Sequence, residues 1–145
     1  MHKLPSPDLK WPIILDGVAL IAESENCFLK TYRCPAGVPT IGWGETQGVV
    51  MGMEWTQEQA DQKFCDSLTA SATEVLAALT VAPSEHELAA LTSLAYNCRG
   101  WKKSSVIKAH NRGDRTAAAN ALLLWDKATI GGVLTVLNGL TVRRH

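Results

Sequence analysis

No stretch of about 18 consecutive apolar residues occurs in the 145-residue chain, so no membrane-spanning helix is expected. The nearest candidate, residues 11–22, is too short, and Asp16 interrupts it. It also lacks the basic start and small-residue cleavage site of a secretory signal. A surplus of one charge is missing too. Lys+Arg and Asp+Glu both number 14, for a formal net charge of zero. Polyanion binders carry a basic excess, which argues against nucleic acid as a partner. The four cysteines, Cys27, Cys34, Cys65 and Cys98, form no Cys-x-x-Cys pair. A zinc ribbon is therefore not indicated, and no metal or cofactor is expected. The histidines, His2, His86, His110 and His145, sit in no recognisable motif. A cysteine hydrolase would want one poised beside its nucleophile. There is no fixed-period repeat and no low-complexity run.

What is present is an ordinary globular composition, 46% hydrophobic and 19% charged. The length suits one monomeric domain with its own core. Residues 1–12, with Pro5 and Pro7, read as a loose N-terminal arm, and 13–145 as the domain. Ile14, Val18, Ile21 and Ala22 fall on one face of a helix over 13–25. Residues 28–50 carry Gly37, Gly42, Gly44 and Gly48 between short apolar runs, the pattern of a small antiparallel sheet. Thr56 and Gln59 form a capping box, and a helix runs from there to about Leu79 with Phe64, Leu68 and Val75 inward. Ser84 and Glu87 start another, with Leu88, Leu91, Leu94 and Ala95 as its apolar face; Gly100 ends that segment. Residues 104–111 read as a short helix closed by Gly113. Asp114 caps the next helix, which carries Ala118, Leu122 and Trp125. Gly131-Gly132 reads as a loop, and a last helix begins near Val136. The fold class is α+β: a small antiparallel sheet lobe joined by a long helix to a helical lobe. A cleft between two such lobes suits a polymer substrate.

Glu25 stands at the end of the first apolar helix, just before the sheet. A carboxyl there can lie against apolar walls, which raises its pKa and makes it a proton donor. Position alone favours a solvated helix-end glutamate. The neighbourhood adds more. Cys34 follows nine residues later and Thr40 six after that, leading into Thr40-Ile41-Gly42-Trp43-Gly44. Of the five tryptophans, Trp43 is the one placed to touch a ligand, while Trp101 and Trp125 read as packing. Cys65 and Cys98 read as small buried residues.

This stretch resembles the signature of phage lysozymes of glycoside hydrolase family 24. There a Glu is followed after eight residues by Asp or Cys, after five more by Thr, then by Ile-Gly-x-Gly. Tyr96-Asn97 with Gly100, Ser104-Ser105, Asn111-x-Gly113-Asp114 and Gly139-Leu140 leading to Arg143-Arg144 are similar to later family motifs. The resemblance covers about residues 14–145. It implies a lysozyme-like fold and a muramidase that cleaves the β-1,4 bond between N-acetylmuramic acid and N-acetylglucosamine in bacterial peptidoglycan, for host cell lysis. It implies Glu25 as the acid, Cys34 in the place usually held by Asp, and Thr40 as the residue that positions water. Arg143 matches the arginine that pairs with the acid, and Tyr96 and Ser105 fall where members touch sugar. Asn26 stands where many members have Gly, and Glu45 where many have His. Because the family usually continues beyond the Arg-Arg pair, a short final helix is expected. The site of action would be the wall in the periplasm, reached from the cytoplasm by holin-type or other release, since no signal is visible. A catalytically dead wall-binding domain would keep the same cleft.

A thiolate can act as base or nucleophile only when deprotonated, and the cation of Arg33 is one neighbour able to favour that. The Cys27-to-Cys34 spacing is similar to that in signal-anchor phage lysozymes, where a disulfide can cage the catalytic cysteine. The resemblance thus implies a regulatory Cys27–Cys34 pair, against the plainer reading of Cys27 as a helix-end thiol.

Overall fold

The computed structural model describes residues 4–97 and 99–123. Helix α1 spans Leu15–Glu25, strand β1 Phe28–Arg33 and strand β2 Pro39–Gly42. Helix α2 spans Gln57–Ala78, α3 Glu85–Asn97, α4 Ser105–Asn111 and α5 Arg115–Leu123. A 3-10 turn over Arg99–Lys103 links α3 to α4, so the chain stays coiled past Gly100. The expected loop at Gly131-Gly132, the helix near Val136, Trp125 and Cys98 all lie outside the described residues.

Local chemistry sets the boundaries. Thr56 accepts from the Gln59 N–H at 3.1 Å, and Gln59 Oε1 accepts from the Thr56 N–H at 2.8 Å. Both orphan donors at the α2 start are thereby satisfied. Ser84 and Glu87 exchange the same two bonds ahead of α3. Ser104 caps α4, and Asp114 accepts from the Ala117 N–H at 3.0 Å to start α5.

The sheet is a two-stranded antiparallel hairpin that pairs Phe28 with Gly42, Tyr32 with Thr40 and Arg33 with Pro39. The returning chain adds to it, with Thr31 N–H on the Met53 carbonyl and Trp55 N–H on the Leu29 carbonyl. The core runs between α1, α2 and α3. Ile21, Ala22, Trp43, Phe64, Leu68, Val75 and Leu94 are its buried members. Helix α1 approaches α3 closely because Gly17 faces Ala89. A Cβ on Gly17 would lie 2.9 Å from that of Ala89, closer than side chains tolerate.

Residues 4–12, expected as a loose arm, are anchored. The Ser6 N–H donates to Asp61 Oδ2 at 3.1 Å, and Trp11 Nε1 donates to the Ser6 carbonyl at 2.8 Å. The Trp11 ring meets Phe64 edge-on at 5.7 Å between centroids. Trp11 is the clamp that holds this segment on α2.

Candidate active site

The site forms where α1 gives way to the hairpin. Asn26 closes α1 at φ 60°, ψ 156°, with its N–H on the Ala22 carbonyl. That conformation is essentially glycine's, and costs another residue about 1–3 kcal/mol. It explains why glycine suits this position and why Asn is a tolerable substitute. The sharp exit leaves Glu25 at the helix end, facing the Gly42–Gly44 turn.

Gly44 is the surface on which Glu25 rests. A Cβ built there would overlap Glu25 Oε1 and lie 3.2 Å from its Cδ. Burial pushes the Glu25 carboxyl above the ordinary carboxylate range, and the charge of Glu45 pushes it the same way. Across the hairpin, Tyr32 and Thr40 are direct partners. Burial raises the Tyr32 phenol, as do the charges of Glu25 and Cys34, so one tyrosine feels both groups.

Cys34 opens the turn between the strands. Its N–H donates to the Val38 carbonyl at 3.0 Å, and the Gly37 N–H returns to the Cys34 carbonyl at 2.7 Å. The backbone N–H groups of Val38 and Ala36 hold the thiol below its ordinary pKa, helped by the Thr40 hydroxyl and the Gly37 N–H. This is an anion nest of successive amides. The Thr40 hydroxyl also lies 2.9 Å from the Val38 carbonyl. Arg33 is not among the groups that lower it; its guanidinium donates to the Gly37 carbonyl at 3.0 Å. Cys34 and Thr40 thus meet at the hairpin turn, and Tyr32 feels the charges of both Glu25 and Cys34.

Cys27 and Cys34 are both free thiols. They flank β1, and seven residues at about 3.3 Å each keep such ends far beyond the 4.4–6.8 Å between Cα atoms that a disulfide needs. Cys27 instead accepts from Gln57 Nε2 at 3.6 Å. Burial raises its pKa, which Gln57 opposes and Asp61 reinforces. A Cys27–Cys34 bond is therefore not a feature of this folded form.

Trp43 does not reach the ligand side. It is fully buried, stacks on Phe64 at 5.9 Å and donates Nε1 to Asp61 Oδ1 at 2.8 Å. The same Asp61 oxygen accepts from Gln57 at 2.9 Å. A buried carboxylate thus pins the underside of the Gly42–Gly44 turn. Tyr96 also points inward, its hydroxyl 3.2 Å from both the Trp43 carbonyl and Glu45 Oε2. Ser105 is the exposed first residue of α4 and joins none of these contacts, while Arg143 lies outside the described residues. His110 is buried against the Val81 carbonyl at 2.8 Å rather than solvated. From Glu45 a groove of about 580 Å³ runs between residues 45–55 and α2, past Gln47, Val49, Trp55, Lys63 and Asp66. Among the described residues no group of three or more His, Cys, Asp or Glu is placed to hold a metal, and no helix is long and apolar enough to cross a membrane.

Asp61 was not readable as part of the site, because it reads as a polar position on an amphipathic helix; Glu45 was visible only as a departure from the histidine that many family members carry after the Gly-x-Gly turn.

Residues 22–145 match the family model for phage lysozyme. The chain belongs to the phage lysozyme family. An endolysin of Acyrthosiphon pisum secondary endosymbiont phage 1 is 32% identical over 131 residues, covering 89% of this chain and 90% of that protein. A SAR-endolysin of Pseudomonas phage phiKMV is 37% identical over 132 residues, covering 90% and 81%. Among solved structures, the endolysin of Escherichia coli O157:H7 phage FAHEc1 superposes with a TM-score of 0.71 at 31% identity, over 82% of this chain and 78% of that one. This phage lysozyme is accordingly a glycoside hydrolase of lysozyme type with the α+β fold.

Proposed function

We propose that this phage lysozyme is a muramidase that cleaves the β-1,4 bond between N-acetylmuramic acid and N-acetylglucosamine in the host cell wall, with Glu25 as general acid and Cys34 as base. The observation that carries the reading is the opposed pair: a Glu25 carboxyl seated on Gly44 with its pKa raised, and a Cys34 thiol in an amide nest with its pKa lowered. The productive state has Glu25 protonated and Cys34 ionised, and the two shifts move toward each other in the direction that populates it. Glu25 gives its proton to the glycosidic oxygen as the bond from the anomeric carbon breaks. A water on the opposite face forms the new bond and gives its proton to the Cys34 thiolate. The Thr40 hydroxyl, already against that sulfur, orients the water. This route inverts the anomeric centre. Arg143 would pair with the acid and Ser105 would meet the sugar chain.

The test is Glu25→Gln. It should lower the rate of turbidity loss of wall suspensions by about 10²–10⁴-fold while the protein still pellets with the walls. Undiminished lysis would remove Glu25 from the mechanism. A wild type that binds walls without clearing them would favour a non-catalytic binding domain.

A further inference from the structure

The hairpin beside Glu25 presents an aromatic ring to solvent. Trp43, the tryptophan whose place in sequence suits a ligand, is buried on Phe64. Phe28 takes the outward place instead. It is 43% exposed, and among the described residues no other aromatic side chain is exposed. Its ring is held by a neighbour. It meets the half-buried Tyr32 ring at 4.3 Å between centroids, tilted by 45°. That contact puts both rings on one face of β1, although the ladder is irregular between them. Strand register shows which face this is. Tyr32 stands directly opposite Thr40, and directly paired residues project to the same side of a sheet. The Thr40 hydroxyl in turn hydrogen-bonds the Cys34 thiol. At the other end Phe28 is paired with Gly42, close in sequence to Gly44, on which the Glu25 carboxyl rests. Phe28 follows Glu25 by three residues, so their Cα atoms lie within about 11 Å.

We propose that Phe28, backed by Tyr32, is a stacking subsite for one pyranose ring of the glycan strand, on the hairpin face that carries Thr40. The proposal deepens the muramidase reading and rests on it for the identity of the sugar. A polymer substrate extends past the bond that is cut, so the surface next to the acid holds further sugars. A pyranose suits this surface. Its hydroxyls lie around the rim, and its axial C–H groups point off the two faces. Those C–H groups carry partial positive charge, and the face of an aromatic ring is negative. Stacking removes apolar area of both from water and leaves the sugar hydroxyls hydrated at the rim. An aliphatic side chain supplies area without the negative face. The Tyr32 contact restricts the Phe28 ring before the sugar arrives, which lowers the ordering cost of binding. A second copy of the chain is a poorer match. A stable protein contact covers about 800 Å² on each partner. Here a single ring is exposed next to the exposed, charged Lys30.

The test uses soluble oligosaccharides of alternating N-acetylglucosamine and N-acetylmuramic acid, with kcat and KM measured separately. Phe28→Ala should raise KM about threefold to tenfold and hold kcat within about twofold, the pattern of a lost binding contact. Because Phe28 is exposed, its Tm should stay within about 2 °C of wild type. Phe28→Leu keeps an apolar group without a ring face and should resemble Phe28→Ala. Phe28→Trp should hold KM at or below the wild-type value. An unchanged KM in Phe28→Ala overturns the proposal. So does a fall in kcat at constant KM, the mark of a disturbed hairpin, and so does a wild-type KM in Phe28→Leu. A wild-type dimer that Phe28→Ala dissociates without a change in KM overturns it in favour of a second copy. Glu25→Gln keeps the two readings apart. Retained activity there removes the acid; an inactive Glu25→Gln with an unchanged KM in Phe28→Ala removes the stacking subsite alone.

Discussion

Gly44→Ala isolates the contact on which the site depends. Gly44 has φ 97°, and a Cβ there would overlap Glu25 Oε1. The substitution therefore has two separable effects. The first is backbone strain of about 1–3 kcal/mol for a side chain at positive φ. At about 4 °C per kcal/mol for a chain this size, Tm should fall by about 4–12 °C. The second is displacement of the Glu25 carboxylate, and a shift of about 1 Å at a reacting group costs about 10²-fold in rate. Gly52→Ala supplies the comparison. Gly52 has φ 93°, and a Cβ there would meet nothing within 4 Å. It should show a similar fall in Tm with activity unchanged below the transition. The assay is initial clearing rate on wall suspensions at 20 °C below the lower Tm, with Tm measured by circular dichroism. A folded Gly44→Ala protein within twofold of wild type would refute the seat. Equal activity losses in the two variants would make the effect one of stability alone.

Two further substitutions test the neighbouring parts. Cys34→Ser puts a hydroxyl that does not ionise into the amide nest and should lower kcat by about 10²-fold or more, whereas Cys34→Asp supplies a carboxylate ionised at neutral pH and should retain more of the rate; equal rates for the two would remove the anion from the mechanism. Asn26→Gly relieves the φ 60°, ψ 156° strain at the end of α1 and should raise stability by about 1 kcal/mol in urea unfolding; a fall in stability would contradict the strained helix exit.

Much of this was legible in sequence because it depends on local chemistry. The Thr56/Gln59 and Ser84/Glu87 boxes close as spacing implies, and the α1 stripe of Val18, Ile21 and Ala22 is buried. The hairpin folds as the glycine pattern implies, with Tyr32 opposite Thr40, and its Gly44 turn packs against Glu25 at the end of α1. What escaped was set by direction and long-range pairing. Trp43 lies in a glycine turn beside the cleft, yet its ring turns inward because Asp61, eighteen residues away, offers a buried acceptor. Arg33 is adjacent to Cys34 in sequence, but the groups that lower the thiol are the turn's backbone amides and the Thr40 hydroxyl, while the Arg33 guanidinium is taken by the Gly37 carbonyl. The Cys27-to-Cys34 spacing suggests a pair only until β1 is drawn between them. Glu45 acquires meaning from Ser67 and Tyr96, which no sequence window contains together with it.

The most direct test of the central claim is the identity of the new reducing end. Purified peptidoglycan digested by the wild type, reduced with borohydride and hydrolysed should yield N-acetylmuramic acid as its alditol, and Glu25→Gln should yield none above background. Reduced N-acetylglucosamine, newly freed peptide amines, or an undiminished muramic alditol yield from Glu25→Gln would contradict a muramidase that uses Glu25 as its proton donor.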